Sequence, residues 1–184
     1  KLSQRFFEEI VHHVNKWDAD LVAVTGDLVD RPHCIEWLPH ILGQLRARYG
    51  VISILGNHDA RLRDIGILQK ELTNCGMVQL GGIWKSLQIE GHEVVVAGNQ
   101  LPWLLSAPKM EDAPPGRTED GALRVLLSHS PDQIRWATQR DFDLMLAGHT
   151  HGGQIRLPVI GPVVCPSRYG VKYASGVFYR NPVI

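Results

Sequence analysis

The sequence carries no excess charge of either sign. Its 19 lysines and arginines balance 19 aspartates and glutamates, so the formal net charge is zero. A neutral chain offers no broad positive field, and such a field supplies much of the attraction between a protein and a nucleic-acid backbone. We therefore expect no nucleic acid among the partners of this protein.

Cysteines are few and long apolar runs are missing. The three cysteines have no C-x-x-C spacing, which argues against a disulfide framework and against a thiolate zinc site. No stretch approaches the roughly 18 apolar residues of a membrane-spanning helix, and no signal peptide is visible. Because the chain starts at Lys1 inside a helical pattern, we expect an upstream segment to have been removed. Cytoplasmic location and membrane association through that missing N-terminal segment both remain open.

The chain has enough apolar residues to form a core. Its 184 residues are 44% hydrophobic, which suits one globular domain over residues 1–184.

Four apolar runs stop abruptly at polar residues that are able to bind metal. They are residues 21–25 before Gly26 and Asp27, residues 51–55 before Gly56, Asn57, His58 and Asp59, residues 123–127 before Ser128 and His129, and residues 144–147 before Gly148, His149, Thr150 and His151. Short apolar runs bounded by glycine indicate buried strands, and the carboxyl ends of strands are where α/β folds place their sites. We expect these four ends to converge. Imidazole, carboxylate and amide ligands without thiolate suit Mn, Fe or Zn.

Helical spacing predicts further elements. Phe7, Ile10, Val11, Val14 and Trp17 predict an amphipathic helix that packs on a sheet. A second helix is expected from about residues 35–39 to Arg48, a third over Ile65, Leu68 and Leu72, and a fourth after Ser130, Pro131 and Asp132. Alternation around residues 87–96 predicts a hairpin with His92 at its tip. The irregular residues 99–121 contain one apolar cluster at 101–105, which is either the anchor of a surface loop or an apolar lip for a substrate.

Four motifs occur in a suggestive order: GDLVD, GNHD, the isolated His129 and GHTH. Together they resemble the calcineurin-like metallophosphoesterase family over nearly the whole chain. The runs GHTHGGQIRLP and PSRYGVKYASGV resemble a branch of membrane-associated bacterial phosphodiesterases within it. The resemblance implies an α/β fold, a four-layer αββα sandwich. The family's opening strand, which ends in Asp-x-His, has no counterpart here, so we expect a chain truncated at the N-terminus. We also expect truncation at the C-terminus, because the chain ends at Ile184, short of the last strands that the resemblance implies.

The resemblance also implies a centre of two divalent metal ions, Mn, Fe or Zn, bridged by Asp27 and by a hydroxide. Asn57, His129 and His149 would bind one ion and His151 the other, which the missing Asp-x-His would complete. His58 corresponds to a general acid, and Asp30 to the carboxylate that orients it. Arg31 is either a phosphate clamp or a surface arginine.

The expected function is metal-dependent hydrolysis of a phosphate ester, most simply a phosphodiester. The branch resemblance permits lipid-linked or nucleotide-sugar substrates, and a small generic phosphodiester fits as well. The alternative is a catalytically degenerate binding scaffold with the same fold. The preference for monoesters or diesters and the identity of the metal stay open.

Overall fold

The computed structural model describes residues 3–104, 106–116, 121–180 and 183–184, and its strands form three sheets. The first is parallel, in the order β1 (Val22–Val24), β2 (Val51–Ser53), β3 (Met77–Gln79). The second has the order β4 (Trp84–Ile89), β5 (His92–Asn99), β6 (Leu123–Ser128), β7 (Leu144–Ala147), antiparallel between β4 and β5 and parallel thereafter. A ribbon pairs β8 (Ile155–Leu157) with β9 (Gly161–Val164).

The two larger sheets face each other across a shared core. Along β2 and the two residues that follow it, Ile52 and Ile54 point into this core, whereas Val51 and Leu55 point to the opposite face of the sheet. The same alternation occurs in β6, where Val125 and Leu127 face the other sheet and Leu126 faces away. Successive side chains of a strand point to opposite faces, and here both faces are apolar because both are covered.

Helices cover the outer faces of the two sheets. The helix α2 (Ile65–Asn74) buries Leu68 and Leu72 in the apolar cluster outside the three-stranded sheet. The helix α3 (Ile134–Thr138) buries Ile134 and Ala137 outside the four-stranded sheet. The layers therefore run helix, sheet, sheet, helix, which agrees with the layered α/β fold expected from the sequence.

The first predicted helix is present as α1 (Gln4–Asn15), capped by the side chain of Ser3. Its apolar stripe is less buried than expected. Val11 is buried, but Ile10 is 43% exposed and Trp17, just beyond the helix, is 75% exposed. None of the described helices is long and apolar enough to span a membrane.

The prediction of a second helix, from about residues 35–39 to Arg48, was wrong. Two 3₁₀ turns occupy this region, Pro32–Trp37 and Leu42–Gln44. An α-helix through this stretch needs the amide of residue 39 as a donor, and Pro39 has none. The amide of Gly43 donates instead to the carbonyl of Leu38 at 2.9 Å, so the chain turns rather than continuing as a helix.

The predicted hairpin is present, with one shift. Glu90 and Gly91 form the turn between β4 and β5, and both have positive φ angles of 51° and 82°. Because these two residues make the turn, His92 is the exposed first residue of β5 and pairs with Ile89.

Candidate metal centre

The carboxyl ends of β1, β6 and β7 bring three distant side chains together. The ligand atoms of Asp27, His129 and His149 all lie within 4.8 Å of one another. The sequence predicted this convergence, but the strands belong to two different sheets, with β1 in one and β6 and β7 in the other. The site is therefore built where the ends of two facing sheets meet.

His129 is the buried member, with a side chain only 2% exposed. Its Nδ1 lies 2.7 Å from the carbonyl oxygen of Thr25. A carbonyl only accepts, so Nδ1 carries a proton and Nε2 faces the site, as is usual for metal-binding histidines. That Nε2 lies 3.2 Å from Oδ2 of Asp27. Burial alone would lower the pKa of His129, but the Asp27 carboxylate and the Thr25 carbonyl outweigh it and raise the pKa.

Asp27 and His149 both have left-handed backbones, with φ angles of 56° and 66°. Such conformations are costly for residues other than glycine and tend to be held at functional sites. Burial acts to raise the pKa of Asp27, but the hydrogen bond with His129 and the amide of His58 lower it overall. Burial and the neighbouring His129 lower the pKa of His149. Near neutral pH the site thus presents a carboxylate and an uncharged imidazole.

Asn57 joins this group and His151 lies outside it. Oδ1 of Asn57 lies 3.0 Å from Nε2 of His129. His151 is exposed and does not belong to the group that meets at Asp27. Together with His149 it lines a cavity of about 690 Å³ that also touches β1 and β7.

The residues proposed for proton transfer lie beside this group. Nδ1 of His58 and Oδ1 of Asp30 are 2.7 Å apart, and Nε2 of His58 is 4.0 Å from Oδ2 of Asp27. The hydrogen bond with His58 lowers the pKa of the exposed Asp30. Arg31 is exposed and lines a separate cavity with Asp27 and Asp30.

Sequence reasoning missed the role of Asp59, which is fully buried. Its Oδ1 accepts from the amides of Leu28 and Val29 at 2.9 and 3.0 Å, and its Oδ2 accepts from the amide of Gly56 at 2.8 Å. This carboxylate ties the turn that carries Asp27 to the turn that carries Asn57. The signal was the acidic residue that ends GNHD.

From the sequence, Trp103 was identified only as a member of the apolar cluster 101–105. Its ring centroid lies 5.2 Å from that of His129 and 4.8 Å from that of His149, so it covers both imidazoles. Leu104 packs against the core outside the three-stranded sheet. The cluster therefore anchors its loop and also shields the histidines, while its last residue, Leu105, lies outside the described residues.

This donor set fits a divalent ion. Asp27 offers a carboxylate oxygen, His129 and His149 offer ring nitrogens, and all three can reach one point because they lie within 4.8 Å of one another. Nitrogen and oxygen donors without thiolate suit borderline and hard divalent ions.

The chain belongs to the calcineurin-like phosphoesterase family, whose sequence model matches residues 3–153. It is 31% identical over 173 residues to the uncharacterized metallophosphoesterase YkuE of Bacillus subtilis, covering 92% of this chain and 59% of that protein. It is 27% identical over 165 residues to the phosphodiesterase YaeI of Escherichia coli, covering 86% of this chain and 58% of that protein. The family and branch predicted from the motifs are thereby confirmed. The chain spans about three-fifths of the length of these two relatives.

Among solved structures, the phosphopantetheinyl hydrolase PptH of Mycobacterium tuberculosis aligns with a TM-score of 0.47 and 15% sequence identity. The alignment covers 72% of this chain and 73% of that one.

Proposed function

We propose that this protein is a metal-dependent phosphodiesterase. Family membership indicates a phosphoric ester hydrolase, and a relative carries the name phosphodiesterase. The observation that carries the proposal is the meeting of Asp27, His129 and His149 at the ends of strands from two sheets.

In this proposal Asp27, Asn57, His129 and His149 hold one divalent ion, and His151 contributes to a second. Mn, Fe and Zn all suit the donors. When bound, such ions supply Lewis acidity that activates water and stabilises charge on the phosphoryl oxygens. The Thr25 carbonyl accepts the proton on Nδ1 of His129, so Nε2 faces the site. The Trp103 ring packs against the imidazoles of His129 and His149 and shields them from water.

His58 supplies the proton in the proposed reaction. A water oxygen bonds to phosphorus and releases one of its protons to solvent, the bond from phosphorus to the alcohol oxygen breaks, and the imidazolium of His58 gives its proton to the departing alkoxide. His58 then takes a proton from solvent and returns to its starting state. Asp30 holds Nδ1 of His58, which leaves Nε2 on the side of Asp27. Arg31 lines a cavity with Asp27 and Asp30, and in the proposal its planar guanidinium pairs with a phosphate oxygen.

The test is elemental analysis of metal content together with Mn-dependent hydrolysis of bis-(p-nitrophenyl) phosphate, on the full chain. Asp27→Asn and His149→Ala should each lose metal and turnover. His92→Ala is the matched control. His92 is exposed at the amino end of β5, which lies at the edge of the sheet opposite the carboxyl ends of β6 and β7. Absence of both metal and turnover in the unaltered protein would favour the degenerate scaffold, and turnover that survives both substitutions would refute the assignment.

A further inference from the structure

A second cavity lies beside the candidate centre. Its volume is about 520 Å³, within the range of roughly 300–1,000 Å³ that small-molecule pockets occupy. It lies between α1, the turn after β1 and the 3₁₀ turn Pro32–Trp37. Its polar lining side chains come from residues 27–33, and its other lining side chains are apolar.

The body of this cavity is built from core side chains. Its apolar lining includes Phe7, Leu28, Trp37, Leu38, Ile41 and Leu42. Leu38 and Ile41 are only 4% and 5% exposed, and Leu28 and Leu42 pack against the core outside the three-stranded sheet. Because these walls also belong to the folded core, the cavity does not depend on a ligand for its shape.

The polar residues of this cavity adjoin the candidate centre through Asp27. Asp27, Asp30 and Arg31 line the cavity, and Asp27 is shared with the group that contains His129 and His149. Asp30 is hydrogen-bonded to His58. His58, the proton donor of the proposed reaction, is therefore connected to this cavity through Asp30.

We propose that this cavity binds the apolar alcohol group of the phosphoester, while the phosphate lies at Asp27 and Arg31. The inference rests on the proposed hydrolase function, and it specifies the substrate as an ester of an apolar rather than a sugar-like or ionic alcohol. The polar side chains of the lining, Asp27, Asp30, Arg31 and His33, all come from residues 27–33, and the others are apolar. Such a lining suits an amphipathic molecule with a phosphate head and an apolar body.

The proposal is tested by binding of alkyl phosphates of increasing length to the metal-loaded full chain. Methyl, butyl, hexyl and benzyl phosphate are titrated calorimetrically, below any micelle concentration. Each buried methylene should lower Kd by about two- to fourfold. Hexyl and benzyl phosphate distinguish an alkyl from an aryl occupant, and a gain with either supports the proposal. Equal Kd values for methyl, hexyl and benzyl phosphate would overturn it.

Three variants locate the effect. Cys34→Phe places a larger side chain at a lining position, and Trp37→Ala removes a wall. Both should flatten the dependence of Kd on chain length while leaving the Kd of methyl phosphate within about twofold of the unaltered value, as expected for a contact made by the apolar group alone. Trp17→Ala is the control, because Trp17 is 75% exposed and does not line the cavity. If Kd depends on chain length in both lining variants as steeply as in Trp17→Ala, the assignment is wrong.

Hydrolysis of bis-(p-nitrophenyl) phosphate, measured in parallel, separates this inference from the proposed function. Turnover without any dependence of Kd on the apolar group removes the cavity assignment and keeps the hydrolase. A dependence on chain length that the lining variants abolish, without turnover, removes the hydrolase and keeps an apolar phosphoester ligand.

Discussion

At the scale of single residues, His58 and Asp59 are neighbours in one motif with very different surroundings. The side chain of His58 is 31% exposed and contacts Asp30. Asp59 is fully buried and binds only backbone amides among its hydrogen-bond partners in the described chain. Replacing His58 should therefore affect chemistry, and replacing Asp59 should affect the architecture of the centre.

His58→Ala should reduce hydrolysis of alkyl esters by about 10²–10⁴-fold, the usual contribution of a general acid. Nitrophenyl esters should lose far less, because nitrophenolate departs without a proton. The measurement compares kcat for a methyl and a nitrophenyl ester in both proteins. Equal losses on the two esters would rule out the acid role.

Asp59→Asn should lower the free energy of unfolding by about 1–3 kcal/mol, because an amide group would face backbone donors and leave at least one unpaired. Burial raises the pKa of Asp59, although the amides of Gly56 and Val29 oppose the shift. Chemical denaturation measures the change. Asp64→Asn is the control, since Asp64 caps α2 and asparagine caps equally well. A loss no larger than that of the control would contradict the role assigned to Asp59.

At the scale of elements, the turns after β1 and β2 approach each other closely. A Cβ on Gly26 would lie 2.6 Å from the amide nitrogen of Gly56, and a Cβ on Gly56 would lie 2.6 Å from Cε1 of His129. Both glycines are required because backbone must pass where a side chain would stand. This close approach places both the Asp27 carboxylate and the His129 ring against Gly56.

Gly56→Ala should therefore displace the Asp27 carboxylate and the His129 ring. A misplacement of about 1 Å can cost about 10²-fold in rate, so we expect kcat/KM to fall by at least that order, with weaker metal binding. Gly43→Ala is the matched control, since a Cβ there meets nothing nearer than 3.6 Å. If Gly56→Ala binds metal with unchanged affinity, the turns after β1 and β2 can accommodate a Cβ without displacing Asp27 and His129.

At the scale of the whole molecule, metal binding and protonation are coupled through Asp27 and His129. The lowered pKa of Asp27 stabilises the metal-free fold above its ordinary value of 3.8, and this contribution is lost as the pH falls. The raised pKa of His129 stabilises that fold below its ordinary value of 6.5, and this contribution is lost as the pH rises through the folded pKa. The pair stabilises the metal-free protein most between these two values.

Metal binding should then release the His129 proton, since a ligating imidazole must be neutral. We expect metal affinity to rise with pH above 6.5 and to level off once His129 is neutral in the metal-free protein. Calorimetric titration with Mn in buffers of different ionisation enthalpy measures both the affinity and the released protons. Proton release that is zero at pH 6.5 would contradict the coupling.

The sequence alone determined the local elements and the chemistry of their ends. The apolar run 123–127 was sufficient for β6, and Ser130 before Pro131 was sufficient for the start of the next helical turn, where its side chain caps the amide of Asp132. These features depend on neighbours along the chain, so they are encoded locally. The motif order also predicted that Asp27, His129 and His149 would meet.

Only the tertiary structure decided how these pieces combine. His129 and the carbonyl of Thr25 are 104 positions apart, so the local sequence pattern does not predict their contact. The same holds for Trp103 against His149, for Asp59 beneath the turn of Asp27, and for the apolar cavity beside that turn. Each is a packing outcome between elements distant in sequence, because burial and close approach depend on which faces meet.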